Sequence, residues 1–155
     1  MATYMLEKAG FDVNHVKRVL ILSEKTEVDY LRCLTVEGLK DLYGKDCHDF
    51  PKIPHIYQNY SENIKNLYGK GINYSKLFSD DCYDQELDQH LIQNIKNHYY
   101  DVVIYGSVHR GMPLISLISS HYEPKEVIYL CGEDQHNCAY KKQESSLNIF
   151  IRELN

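Results

Sequence analysis

Asp101-Val102-Val103-Ile104-Tyr105-Gly106-Ser107-Val108-His109-Arg110-Gly111 carries the pattern of a parallel α/β fold. Val102 to Tyr105 form a continuous apolar run without the alternation of a half-exposed strand. Such a run suits a strand buried on both faces, as in a parallel sheet. A polar loop bounded by two glycines follows. The segment from about Pro113 to His121 then predicts a helix, since proline is well tolerated in a first helical turn.

The same alternation continues outward in both directions. Upstream, Leu87, Leu91, Ile92 and Ile95 form a helical stripe within Glu86 to Tyr99. Downstream, Glu126 to Leu130 predicts a strand ended by Cys131-Gly132-Glu133-Asp134, and Leu147 to Ile151 predicts a last strand. Near the start, Val19-Leu20-Ile21-Leu22 is a second fully apolar run, broken by Ser23-Glu24-Lys25-Thr26. Thr26 with Asp29 three positions on resembles a capping box. Val28, Leu31, Leu34 or Thr35, Leu39 and Leu42 then recur at helical spacing, with Gly44 as the stop. A short strand is expected around Cys47–Phe50, ending at Pro51. The Tyr- and Asn-rich stretch from Ile53 to Asp84 is too long for a plain connection. It predicts a small helix near Ser61–Leu67 and irregular chain around Gly69–Ser75. Strands alternating with helices give an α/β fold: one Rossmann-like domain over residues 1–155, with a mainly parallel sheet and helices on both faces.

Composition narrows the class. The chain has 155 residues, 43% hydrophobic and 25% charged, enough for a real core without disulfides. Its formal net charge of -5 disfavours nucleic acid and anionic membranes as partners, although a local basic patch is compatible with it. Five cysteines, with no CxxC pair and no signal peptide in MATYMLEKAG, point to reduced thiols in a cytoplasmic compartment. No window approaches the ~18 apolar residues of a membrane span.

In open α/β sheets ligands bind beyond the carboxyl ends of the strands. Three polar loops occupy that edge: Ser23–Thr26, Gly106–Gly111 and Cys131–His136. Gly106 and Gly111 allow close backbone approach, while Ser107 and Arg110 suit phosphate or carboxylate. His109 suits a general base. The structural alternative is a tight turn in which Arg110 caps or salt-bridges locally. Ser23 and Glu24 are candidate ligand contacts after the first strand. Glu133 suits ligand hydroxyls, and Asp134 is a second candidate proton acceptor. Cys131, Asp134, His136 and Cys138 match no standard zinc spacing, so no metal is expected. His48 and Asp49 are neighbours on a strand and should face opposite ways, which argues against a catalytic diad. No Cys–His pair stands out. There is no GxGxxG after the first strand, no GxxxxGK[ST], no GxSxG and no HExxH, so no dinucleotide or other cofactor is expected. Nucleic-acid motifs are also missing.

VLILSEKTEVDYLRCLTVEGLKDLYGKDCHDFPKIPHIY resembles the opening of glycosyltransferase-like proteins from surface-polysaccharide and flagellar-modification clusters. The likeness extends through Asp29-Tyr30-Leu31, Gly38-Leu39, Asp49, Pro51 and Tyr68-Gly69-Lys70-Gly71. It continues in Asp101–Arg110, Gly132-Glu133-Asp134 and Phe150-Ile151-Arg152-Glu153-Leu154. This resemblance implies the N-terminal, Rossmann-like half of a GT-B-type enzyme that handles a sugar or sugar-nucleotide. It also implies a donor-binding second domain, which would lie beyond Leu154. The expectation is therefore a truncated piece of a longer enzyme, a half completed by a partner glycosyltransferase domain or by another copy, or a stand-alone module.

Two other readings stay open. A non-catalytic interaction module would use the Tyr-rich Tyr57–Tyr83 segment as a contact surface, since Tyr favours interfaces. A small phosphate-handling enzyme of flavodoxin-like build would use Ser23–Thr26, which lacks the glycines of a good phosphate loop.

Overall fold

A computed structural model describes residues 1–24, 28–132 and 147–151. Five strands form an all-parallel sheet: β1 (Val19–Leu22), β2 (Cys47–Phe50), β3 (Val102–Tyr105), β4 (Val127–Cys131) and β5 (Asn148–Ile151). Their order is β2-β1-β3-β4-β5. β1 lies between β2 and β3, with Ile21 opposite Asp49 on one side and Ile104 on the other. The chain winds outward from β1 to β2, then returns across the sheet to β3 and proceeds to β4 and β5. The gap between β1 and β3 is therefore the switch point of a doubly wound sheet.

Alternating side chains of the apolar strands feed two cores. Val19, Ile21, Val102, Ile104, Ile128 and Leu130 face one layer with Leu6, Val36 and Leu39. Leu20, Leu22, Val103 and Tyr105 face the other, with Leu91, Ile95 and Ile118. Each fully buried aliphatic side chain is worth about 1.5–3 kcal/mol. The first layer is built from α1 (Ala2–Lys8) and α2 (Tyr30–Tyr43). The second is built from α4 (Leu91–Lys96) and α5 (Ile115–His121), with the short α3 (Gln85–Gln89), which buries no residue, leading into α4. Helices on both faces of a parallel sheet are the expected arrangement, and no described helix is long and apolar enough to cross a membrane.

α2 buries Cys33, Val36, Leu39 and Lys40, an i, i+3, i+6, i+7 stripe, and ends at Gly44 with φ 55°. A left-handed residue there closes the helix with a bond from the Gly44 N–H to the Lys40 carbonyl. Its start differs from the capping-box reading: Asp29 is itself the N-cap, in extended conformation, accepting from the Arg32 N–H. Thr26 lies outside the described residues.

Four other details differ from the sequence expectation. The segment 86–99 is two helices, because His90 leaves helical geometry at φ -103°, ψ 7°. The apolar stripe runs across that break, so spacing alone does not reveal it. α5 starts at Ile115 because Leu114 is left-handed at φ 60°, leaving Pro113 before the helix. The short helix near Ser61–Leu67 is a single 3-10 turn over Ile64–Asn66. α1 has no counterpart in the sequence reading, yet Ala2, Met5 and Leu6 are buried, and Ala2 packs on Gly38 of α2.

Candidate functional site at the switch point

β1 and β3 deliver their loops to the same edge. The Ser23 N–H continues the β1–β2 ladder to the Phe50 carbonyl, and the Gly106 N–H continues β3 onto Leu22. These bonds fix Ser23 against Gly106. A Cβ at Gly106 would lie 2.9 Å from Ser23 Oγ and 3.3 Å from Arg32 Cγ, so a side chain there would force Ser23 or Arg32 to shift. Ser23 is 5% exposed, and its hydroxyl is buried without a hydrogen-bond partner among the described residues.

The centre of the site is Asp29, which sequence reasoning assigned only to a cap. Ser107 donates its hydroxyl to Asp29 Oδ2 at 2.6 Å. Arg110 Nε lies 2.9 Å from the same oxygen, and Oδ1 accepts from the Arg32 backbone. One carboxylate thus joins the β3 loop to the N-terminus of α2. Through this ion pair Asp29 fixes the position of Arg110. The signal that could have found it was an Asp just before an apolar helical stretch, at the carboxyl edge of a strand.

Arg32 is buried below Gly106, and Nη2 donates to the Pro51 carbonyl. Burial pushes its pKa below the ordinary value, against the opposing pull of Asp49 and Asp29. It was not anticipated, since a surface position on a helix is the usual place for arginine.

His109 lies in the 3-10 turn Val108–Arg110. Its Cε1 is 3.2 Å from where a Gly132 Cβ would sit, and its Nδ1 is buried without a partner among the described residues. Gly111, at φ 131°, passes close over Glu24, whose Oε2 would lie 2.8 Å from an added Cβ. The structure therefore gathers Ser23, Glu24, Gly106, Ser107, His109 and Arg110 at one edge. Glu133 and Asp134 lie outside the described residues, as do His136 and Cys138 of the cluster weighed for zinc. Among the described residues no group of His, Cys, Asp and Glu could hold a metal ion.

The other polar pairs have partners of their own. His48 and Asp49 do face opposite layers. His48 Nε2 lies 2.7 Å from Asp88 Oδ1, and its Nδ1 lies 2.7 Å from the Tyr100 hydroxyl. Asp49 pairs with Lys40 on the other side. Cys33 Sγ and His55 Nε2 approach to 3.4 Å, a pairing invisible in sequence because 22 positions separate them. Burial raises the Cys33 thiol to about 11 and lowers His55, so the couple is neutral rather than a thiolate–imidazolium pair.

Comparison with protein families, with curated proteins and with solved structures finds no match to this chain.

Proposed function

We propose that this chain is a glycosyltransferase-like domain that binds a sugar or sugar-nucleotide in the crevice between β1 and β3. The observation that carries the reading is the unpartnered Ser23 hydroxyl, buried at the switch point beside side-chain-free Gly106. A buried hydroxyl left without a bond costs about 1–3 kcal/mol, and such groups call for an explanation. A ligand hydroxyl arriving at this edge supplies one. Ser107 and Asp29 orient Arg110 for an anionic or hydroxyl group, and His109 is the group suited to accept a proton from an attacking hydroxyl. Glu133 and Asp134, which follow β4 in the sequence, are proposed as further contacts to ligand hydroxyls, with Asp134 a second candidate proton acceptor. The reading adds a partner domain or a second copy to complete a two-domain cleft, and a reducing, cytoplasmic setting. Cys33, Cys47 and Cys82 carry free thiols, which supports that setting.

The test is a thermal-shift screen with UDP-, GDP-, dTDP- and CMP-sugars, free nucleotides and phosphate. It is run on the wild type, Arg110→Ala and Gly106→Ala. A ligand at ~100 times its dissociation constant adds about 2.7 kcal/mol of stability. The expected result is a shift lost in both variants, since one removes the cation and the other closes the gap over Ser23. No shift with any ligand sinks sugar-nucleotide binding by this chain on its own.

A further inference from the structure

A net charge of -5 conceals a local excess of the opposite sign. Between Asn63 and Leu77 the chain carries Lys65, Lys70 and Lys76 and no aspartate or glutamate, with Glu62 just before this stretch and Asp80 and Asp81 just after it. All three lysines are exposed. None forms an ion pair with a carboxylate among the described residues.

The same excursion turns large apolar side chains outward. Tyr68 is 74% and Ile72 64% exposed, beside Leu34 at 45% and Tyr30 at 39% on α2. Tyr30, Leu34 and Ile72 line one groove and Tyr68 packs on Tyr30, so these exposed apolar groups are contiguous rather than singly scattered. The backbone is bent to achieve it: Gly69, Lys70, Gly71, Asn73 and Lys76 all have positive φ, and three of them are not glycine. Tyr74 anchors the excursion from within. It is buried, packs edge-on to Tyr30 at 4.9 Å and donates its hydroxyl to the Tyr68 carbonyl. A groove of about 410 Å³ between α2 and the excursion has no charged side chain in its lining. The acidic residues of α2, Glu37 and Asp41, lie about one and two turns beyond Leu34.

We propose that this face docks the domain on an anionic lipid surface. Tyr68 and Ile72 would sit at the boundary of headgroups and acyl chains, with Lys65, Lys70 and Lys76 against the lipid charges. Tyrosine favours that boundary because its ring is apolar and its hydroxyl polar. Unpaired lysines supply the attraction that apolar contact alone lacks. The segment contains no arginine. A single defined phosphate or carboxylate is best met by arginine's planar fork, whereas flexible point charges suit a fluid array of headgroups.

The test is flotation of the full chain with vesicles of phosphatidylcholine, alone or containing phosphatidylserine. The chain should float with the anionic vesicles only, and less at high salt. Each lysine near such a surface strengthens binding about fivefold. Lys65→Gln/Lys70→Gln/Lys76→Gln should therefore weaken it at least about tenfold. Tyr68→Ser/Ile72→Ser should also abolish flotation, with both variants keeping the wild-type thermal unfolding curve. The chain has no tryptophan, so Tyr68→Trp provides a single reporter whose emission should move to the blue on anionic vesicles. No flotation, flotation unaffected by either set of changes, or lysine-dependent capture of a single-stranded oligonucleotide without vesicle binding would each overturn the proposal.

Discussion

Lys40 and Asp49 meet at 3.1 Å with side chains 1% and 0% exposed. The pair is embedded in further bonds. Lys40 Nζ donates to the carbonyls of Cys47 and Cys82, and Asp49 accepts from the Tyr57 hydroxyl and the Ile53 N–H. Together these tie α2 to β2 and to the long segment that follows. Removing one member strands the other charge in the core, which costs about 3–5 kcal/mol. Urea unfolding should show that loss for Asp49→Asn and for Lys40→Met. The double variant Lys40→Met/Asp49→Asn should lose less than the sum of the two, because neither charge remains unpaired.

His48 gives the stability a pH dependence whose direction is fixed by its surroundings. Burial lowers its pKa, and the bond to Asp88 only partly offsets this. His55 is lowered as well, by burial and by the nearby Arg32. In the unfolded chain both histidines titrate near about 6.5. The unfolded state therefore binds more protons as pH falls through that value, and folded stability falls with it. Urea midpoints should be level above about pH 7.5 and decline from about pH 6.5 downward, with part of the slope removed in His48→Gln. A slope unchanged by that substitution would exclude His48 as a source.

Asp29 has two roles that substitutions can separate. Asn retains the cap on α2 but loses the charge that holds Arg110, while Ala loses both. The cap alone is worth about 0.5–2 kcal/mol, so Asp29→Ala should be less stable than Asp29→Asn by that amount in denaturant unfolding. Equal stability of the two variants would show that the cap contributes nothing.

Thiol chemistry should follow burial. Cys33 is raised to about 11 and Cys47 to about 12, both chiefly by burial. Neither forms much thiolate near neutral pH. After brief treatment of the native protein with iodoacetamide, peptide mapping should find Cys33 and Cys47 unmodified and Cys82, which is partly exposed, modified. Early alkylation of Cys33 would mean that its pairing with His55 activates it.

The sheet was legible because its strands are written as unbroken apolar runs. Val19–Leu22 and Val102–Tyr105 are strands at the positions their sequence suggests, and so is Cys47–Phe50 despite its two polar residues. The carboxyl-edge loops followed directly from the strand ends, which is why Ser23, Ser107 and Arg110 were accessible to reasoning. What joins them was not. Asp29 meets Ser107 across 78 positions, and no local pattern encodes that distance. The break at His90 and the left-handed Leu114 escaped for the opposite reason: local spacing continued smoothly while tertiary packing changed the backbone. α1 was missed because its stripe is two turns long and its buried face reads as ordinary N-terminal sequence.

β2 is an edge strand, and edges are where sheets are prone to pair wrongly. Sliding β2 by one residue against β1 would exchange the faces of His48 and Asp49. Asp49 would then turn towards Asp88, carboxylate against carboxylate, and Lys40 would lose its counter-charge. A slipped sheet thus meets a penalty in both layers at once, whereas an all-apolar β2 would tolerate it. Two adjacent polar residues with different partners therefore act as an alignment check during assembly, rejecting frames that the hydrophobic cores alone would accept.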